Sequence, residues 1–142
     1  MKILIPVDGS DNALRAVRHV LATRDWYATP VVVQLLNVQP PVASGAVKMF
    51  ISKEQLQEYY EDEGQAALKA ARELVQAAAG VECHARVGVG DVASTVASVA
   101  AAEHCDLVVM GTRGMGAIAN MVLGSVATKV IHLSPVPVQL VR

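Results

Sequence analysis

Short apolar runs alternate with segments of helical periodicity along the whole chain. Between the runs, apolar residues recur three or four positions apart, which predicts four helices. Strands that alternate with helices predict right-handed parallel crossovers, and therefore an α/β fold: a doubly wound, five-stranded parallel sheet with helices on both faces. The five predicted strands are Lys2–Val7, Val31–Val38, Val81–Val87, Asp106–Met110 and Val136–Val141.

Capping residues mark the expected helix starts. Ser10 or Asp11 is a suitable N-cap for the first helix, and Asp91 for the third. Ser52 followed by Gln55 has the spacing of a capping box and predicts the start of a long second helix. These polar capping residues thus mark the positions where the apolar spacing changes from that of a strand to that of a helix.

Composition restricts the classes of function. The chain has 142 residues, of which 53% are hydrophobic, with one Phe and one Trp, so small aliphatic residues must form the core. This length predicts one domain over residues 1–142. The 12 basic and 13 acidic residues give a net charge of -1, which predicts no nucleic-acid partner and no anionic membrane surface.

Sequence features relevant to location predict a soluble, cytoplasmic protein. The N-terminal apolar stretch before Asp8 is short for a signal peptide. The uncharged stretch from Gly114 to Thr128 is 15 residues, below the roughly 20 that span a bilayer. Two cysteines without C-x-x-C spacing suit a reducing compartment.

The most informative segment is rich in glycine and precedes the last helix. It reads Gly111-Thr112-Arg113-Gly114-Met115-Gly116 and continues to Gly124-Ser125 at the expected helix start. Glycines let main-chain N–H groups approach an anion, and a helix N-terminus adds about half a positive charge. The pattern therefore suits phosphate binding. Turn glycines without a ligand give the same pattern, so the residues alone leave both interpretations open.

The spacing Gly111-x2-Gly114-x9-Gly124-Ser125 resembles the nucleotide motif of the ATP-binding branch of the universal stress protein family. The segments Ile3 to Ser10, Asp106 to Met110 and Pro135 to Val141 are also similar to that family, so the resemblance covers nearly the whole chain. It implies the strand order 3-2-1-4-5. In that order the ends of the first and fourth strands lie side by side, so Asp8 and Gly111 would face one crevice.

The resemblance also implies a role for individual positions. The motif residues would hold the ribose and the phosphates of ATP, Val7 and Asp8 would lie along the nucleoside, and the main chain around Val38 would meet adenine. Arg113 lies inside the loop, and Met110 beside it is expected to pack in the core or at the rim of the pocket. The predicted cofactor-binding residues are Pro6, Val7, Asp8, Val38, Met110, Gly111, Arg113, Gly114, Gly124, Ser125 and Val126.

Asp8 has a restricted choice of roles beside a triphosphate. An ionised carboxylate would repel the phosphates unless it accepts hydrogen bonds from ribose hydroxyls or shares a divalent cation with them. Asp8 suits either role, and in the second it is the predicted metal ligand, for Mg²⁺ or Mn²⁺ carried with the phosphates. A turn-forming aspartate in Asp-Gly-Ser is the alternative.

Whether the chain is an enzyme stays open, and no catalytic residue is predicted. A Walker loop has a lysine directly after its second glycine, but Lys129 comes four residues after Ser125. Lys129 and Arg113 are each placed to offset phosphate charge or to be solvated. Without a positioned base, binding or slow turnover is favoured. The alternative function is a slow ATP hydrolase or phosphotransferase.

Two other motifs suggest chemistry weakly. Gly88-Val89-Gly90-Asp91-Val92-Ala93 fits the loose dinucleotide fingerprint, which belongs instead to the first strand-to-helix turn of its unit. Glu103-His104-Cys105-Asp106 offers metal-ligand types without zinc spacing. A turn and a polar helix end explain them better.

The last predicted strand indicates how two copies of the chain would pair. Val136–Val141 is apolar, and Pro137 predicts an edge position, where the strand is able to pair with a second copy. The family resemblance implies the same homodimer. The predicted function is an ATP-binding stress-response or signalling module in which the nucleotide orders the 111–125 loop and alters a surface for an unidentified protein partner. A nucleotide-free interaction domain is the remaining alternative.

Overall fold

The computed structural model describes residues 1–42, 50–114 and 123–142. A 3-10 turn at Arg24–Trp26 follows the first helix, and within the described ranges no helix is long and apolar enough to cross a bilayer. The strands are β1 (Lys2–Pro6), β2 (Val32–Gln39), β3 (Glu82–Val89), β4 (Leu107–Gly111) and β5 (Val138–Val141). The helices are α1 (Asp11–Thr23), α2 (Lys53–Gln76), α3 (Val92–Ala102) and α4 (Ser125–Leu133).

The five strands form one parallel sheet in the order β3-β2-β1-β4-β5, which confirms the predicted fold class and strand order. The central strand β1 pairs with β2 from Lys2 to Pro6 and with β4 at Ile3 and Leu4. The sheet grows from β1 towards β3 on one side and towards β5 on the other. The carboxyl ends of β1 and β4 therefore meet at the topological switch point, where α/β sheets bind ligands.

Side chains alternate along β1 and pack into two hydrophobic layers, one on each face of the sheet. Ile3 and Ile5 are fully buried beneath α1 and α2. Leu4 points to the opposite face and packs with Val108 and residues of α3 and α4. Helices thus cover both faces of the sheet, as predicted.

The predicted caps are present at the first three helices. The Ser10 hydroxyl, rather than Asp11, accepts a hydrogen bond from an N–H in the first turn of α1. Ser52 and Gln55 form the reciprocal bonds of a capping box at α2, and Asp91 caps α3. Each of these helices starts with a side-chain oxygen that satisfies main-chain donors.

The last strand is shorter than predicted. The Ser134 hydroxyl donates to the carbonyl of Val136 at 2.7 Å and accepts from its N–H at 3.3 Å, so a turn uses the peptide groups of Val136. β5 accordingly starts at Val138. It lies at the edge of the sheet beside β4, which confirms the prediction made from Pro137.

Candidate functional site

The chain turns sharply where β1 ends. Val7 is 2% exposed, and Asp8 follows it at the carboxyl end of the central strand. Asp8 Oδ1 accepts hydrogen bonds from the Ser10 N–H at 3.0 Å and from the Ser10 hydroxyl at 2.6 Å. Gly9 has a φ of 85°, a conformation that favours glycine. The turn therefore holds the Asp8 carboxylate in a fixed position beside the start of α1.

Gly111 ends β4 and is buried against the start of α1. A Cβ atom placed on Gly111 would lie 3.0 Å from the main-chain carbon and oxygen of Asn12. Such a contact is too close for a side chain, because main-chain atoms have little room to move. Gly111 thus allows the end of β4 to approach the helix that follows β1.

Gly114 lies against Asp8. A Cβ atom on Gly114 would be 2.7 Å from Asp8 Oδ2. Two predicted site residues, 106 positions apart in sequence, are therefore neighbours across the switch point. A side chain at position 114 would occupy the space next to the carboxylate.

The start of α4 is held against the residues that follow β4. The Gly124 N–H donates to the Thr112 carbonyl at 2.7 Å, and a Cβ atom on Gly124 would lie 3.6 Å from the Arg113 Cα. Gly124 is the N-cap residue and has no side chain to offer the first turn. Unlike α1, α2 and α3, this helix presents its first N–H groups beside bare glycine.

The remaining predicted residues have different degrees of exposure. Ser125 and Val126 are exposed in the first turn of α4, whereas Arg113 and Pro6 are half-buried. The Met110 side chain is 6% exposed and packs in the core beneath α3 and α4, so its contribution to a site is limited to its main chain. Met115, Gly116 and Met121, which follow Gly114 in the glycine-rich segment, lie outside the described residues. So do residues 43–49, whose lack of periodicity predicts a loop.

Sequence reasoning missed one polar residue next to the predicted adenine contact Val38. Asn37 is 3% exposed, and its Nδ2 donates to the Val7 carbonyl at 2.8 Å. Its Oδ1 accepts from Gln39 Nε2 at 2.7 Å. The available signal was that β2 contains three amides, Gln34, Asn37 and Gln39, among apolar residues, because an amide buried in such a strand requires hydrogen-bond partners.

Asp8 fits a cation only together with an anionic ligand. Among residues 1–42, 50–114 and 123–142, no group of three or more His, Cys, Asp or Glu side chains is arranged to hold a metal ion. Mg²⁺ is commonly bound by one or two carboxylates plus substrate phosphates. The donor set around Asp8 agrees with that mode and not with an all-protein cage.

A second glycine-rich junction lies between β3 and α3. Asp91 Oδ1 accepts from the Ser94 N–H at 3.0 Å and from the Ser94 hydroxyl at 2.8 Å. These bonds hold the pKa of Asp91 below its usual range, and the nearby charge of Lys129 acts in the same direction. A carboxylate already sits at this helix start, which disfavours the dinucleotide interpretation of Gly88 to Ala93.

Comparison with known proteins places the chain among relatives of one kind. The model of the universal stress protein family matches residues 1–142. A universal stress protein of Methanocaldococcus jannaschii, MJ0531, is 34% identical over 142 residues, which are 99% of this chain and 81% of that protein.

Solved structures share the fold. Hypothetical protein MJ0577 superimposes with a TM-score of 0.83 at 27% identity, covering 99% of this chain and 94% of that one. A universal stress protein in complex with cAMP gives 0.71 at 24% identity, covering 100% and 97%. An Arabidopsis thaliana protein of the family, with AMP bound, gives 0.66 at 19% identity, covering 99% and 90%. The chain therefore belongs to the universal stress protein family, as its glycine motif and strand segments indicated.

Proposed function

We propose that residues 1–142 form one ATP-binding domain that acts as a stress-response or signalling module. One observation carries this proposal: α4 begins at Gly124 without a side-chain cap, against Thr112 and Arg113, which lie between the end of β4 and Gly114. The other three helices each satisfy their first turn with Ser or Asp oxygens. The start of α4 is thus the helix end that is arranged to receive an external anion.

Each proposed contact follows from the position of a residue. The N–H groups of the first turn of α4, at Ser125 and Val126, bind phosphate oxygens, and Arg113 offsets part of their charge. Asp8 accepts hydrogen bonds from the ribose or shares a cation with the phosphates. The main chain at Val38 meets the adenine.

Two of the structural neighbours support an adenine nucleotide as the ligand class. One contains cAMP and the other AMP. Both are less than 25% identical to this chain, so they support the proposal at the level of the fold. The choice of a triphosphate depends on the spacing between Gly114 and Gly124.

The test is mass analysis of the nucleotide that co-purifies with the full chain, followed by calorimetric titration with ATP. We expect an adenine nucleotide in the native protein and its loss in Gly114→Val and Gly124→Val. The matched control is Gly88→Ala, which changes a glycine at the other junction. ATP at a hundredfold excess over its Kd should stabilise the native fold by about 2.7 kcal/mol. Retention of nucleotide by both valine variants would contradict the assigned site, and no stabilisation would favour a nucleotide-free interaction domain.

Turnover separates the binding module from the alternative, an ATP hydrolase or phosphotransferase. The proposal expects bound ATP to persist, with slow ADP release or none. Typical enzymes turn over at about 1–1,000 per second. ADP release in that range by pure protein, dependent on a divalent metal, would replace the binding module by the enzyme.

The proposed cation has its own test. If Asp8 shares Mg²⁺ or Mn²⁺ with the phosphates, the ion tightens ATP binding to the native chain by about tenfold, or 1.4 kcal/mol. In Asp8→Asn, which keeps an oxygen for Ser10, the ion should change the affinity by less than about twofold. Equal effects of the ion on both proteins would leave ribose binding as the role of Asp8.

We also propose that β5 pairs with a second copy of the chain. The carbonyls of Pro137 and Val141 accept hydrogen bonds from β4 and Thr112, so the peptide groups of Val138 and Leu140 face outwards. The missing N–H of Pro137 falls on the β4 side and does not interrupt this outer edge. Sedimentation at micromolar concentration should show a dimer that Val138→Pro weakens, and a native monomer would contradict the proposal.

A further inference from the structure

Asn37 is a buried amide whose orientation is fixed by both of its polar ends. The Val7 carbonyl can only accept a hydrogen bond, so the NH₂ group of Asn37 must face Val7, at 2.8 Å. Its Oδ1 then faces Gln39, whose Nε2 donates to it at 2.7 Å. Asn37 is thus held at the junction of β2 with the residue that follows β1.

Main-chain groups near the end of β2 alternate between two neighbours. The Leu36 carbonyl accepts from the Val7 N–H at 2.8 Å and therefore faces β1. The Gln39 carbonyl accepts from the Gly90 N–H at 3.0 Å and therefore faces β3. Since peptide groups point to alternate sides along a strand, the N–H and C=O of Val38 face the β1 side.

The ladder between β1 and β2 ends one hydrogen bond early. A regular parallel ladder would continue from the Val38 N–H to the Val7 carbonyl. The Asn37 amide takes that carbonyl instead, and within the described residues no main-chain bond joins Val38 to Val7. A donor and an acceptor on the same residue are therefore directed towards the point where β1 turns away into Asp8.

We infer that Asn37 is a positioning residue for base recognition: by taking the Val7 carbonyl, it keeps the N–H and C=O of Val38 available for an adenine-like edge. Adenine presents an amino donor beside a ring-nitrogen acceptor, which matches this pair, whereas guanine has a carbonyl oxygen in place of the amino group. The inference rests on the proposed function and adds to it a residue that acts through Val38 without touching the ligand.

Titrations with ATP, GTP and inorganic tripolyphosphate test the inference, because tripolyphosphate lacks a base. The native chain should bind ATP at least about tenfold more tightly than GTP. Asn37→Leu, of similar size without a donor, should lose most of this preference while tripolyphosphate affinity stays within about twofold. Gln39→Leu is the matched control, since it leaves the bond from Asn37 to Val7 in place and should keep the preference.

Asn37→Asp provides a rescue that a merely structural role would not give. At pH 9 its carboxylate has no proton to donate to Val7. Burial raises the pKa of an aspartate above its ordinary value of about 3.9, so the protonated form, which has a proton to donate, accumulates at this 3% exposed position as the pH is lowered. The ATP preference, expressed relative to the native chain at the same pH, should therefore return as the pH falls. This variant decides the question if Asn37→Leu does not fold.

The outcomes distinguish the inference from the proposed function. If the native chain binds neither ATP nor tripolyphosphate, both fall. If the native chain prefers ATP and the Asn37 variants keep that preference, only the inference is overturned. Equal loss of ATP and tripolyphosphate affinity in the variants would also overturn it, because Asn37 would then support the whole site.

Discussion

The β3–α3 and β4–α4 junctions both carry glycines, and they differ in what stands at the start of the helix. At the β3–α3 junction, Gly88 and Gly90 pack close to Thr95, and the Asp91 carboxylate caps the helix. At the β4–α4 junction the cap residue is Gly124, which contributes no side chain. The start of α3 therefore carries the negative charge of Asp91, whereas the start of α4 has no charged cap.

The junctions also differ in their neighbours. β3 is an edge strand, whereas β4 lies beside the central strand and brings Gly114 against Asp8. Glycine spacing alone would assign an anion site to either junction. The identity of the cap residue and the position in the sheet distinguish the two junctions. Only an uncapped helix start at the switch point offers free main-chain N–H groups next to a crevice between two strand ends.

The largest effect is expected from giving α4 the cap that α3 has. Gly124→Asp places a carboxylate at the proposed phosphate position and should weaken ATP binding by about a hundredfold, or 2.8 kcal/mol. Gly124→Ser supplies a neutral cap of similar size and should cost less than about tenfold. Calorimetric titration measures both variants. Equal affinities of the two would show that charge at this helix start does not matter.

A change at the other junction should affect stability and not binding. Gly90 has a φ of 151°, and a Cβ atom there would lie 3.0 Å from Thr95 Oγ1. We expect Gly90→Ala to lower the free energy of unfolding by about 2 kcal/mol. Denaturant unfolding measures the loss. A parallel fall in ATP affinity, measured on the folded variant, would mean that the two junctions are not independent.

A smaller effect is expected where Gly114 lies against the Asp8 carboxylate. Gly114→Ala puts a methyl group against Asp8 Oδ2 and should displace the carboxylate from the position in which Ser10 holds it. ATP affinity should fall by about tenfold, or 1.4 kcal/mol, with little change in unfolding free energy because Gly114 is exposed. Unchanged affinity would remove Gly114 from the site.

The smallest effect concerns the charge that caps α3. Hydrogen bonds from Ser94 hold the pKa of Asp91 below its unfolded value, so its carboxylate stabilises the fold at pH values above about 4. That contribution is lost as the pH falls through the lower, folded pKa. Asp91→Asn should therefore be less stable than the native chain at pH 7 and equal to it near pH 2. Urea unfolding at both pH values provides the measurement, and a difference that persists in acid would contradict this account.

Most of the fold was predictable because local signals agreed with the long-range arrangement. The apolar runs gave all five strands, and Ser52 with Gln55 gave the start of α2. Strand order came from the family resemblance, because periodicity does not specify which strands pair. The start of β5 was wrong because the Ser134 hydroxyl binds Val136 in a turn that apolar patterning cannot show.

The candidate site was predictable in its glycines and not in its supporting residues. The motif located Gly111, Gly114 and Gly124, but the structure gives each a different neighbour: Asn12, the Asp8 carboxylate and the Thr112 carbonyl. Asn37 escaped prediction because its proposed role depends on β1 ending opposite it. Such a role exists only once two strands, distant in sequence, are paired.

Thr112 links two parts of the molecule that sequence separates. Its N–H donates to the carbonyl of Val141 at 3.0 Å, and its own carbonyl accepts from Gly124 at 2.7 Å. A single residue thus connects the edge strand β5 to the first turn of α4. If the proposed nucleotide changes the proposed pairing of β5, thermodynamic linkage requires that the pairing change the nucleotide affinity by the same factor. The proposed dimer contact and the proposed nucleotide site would then regulate each other.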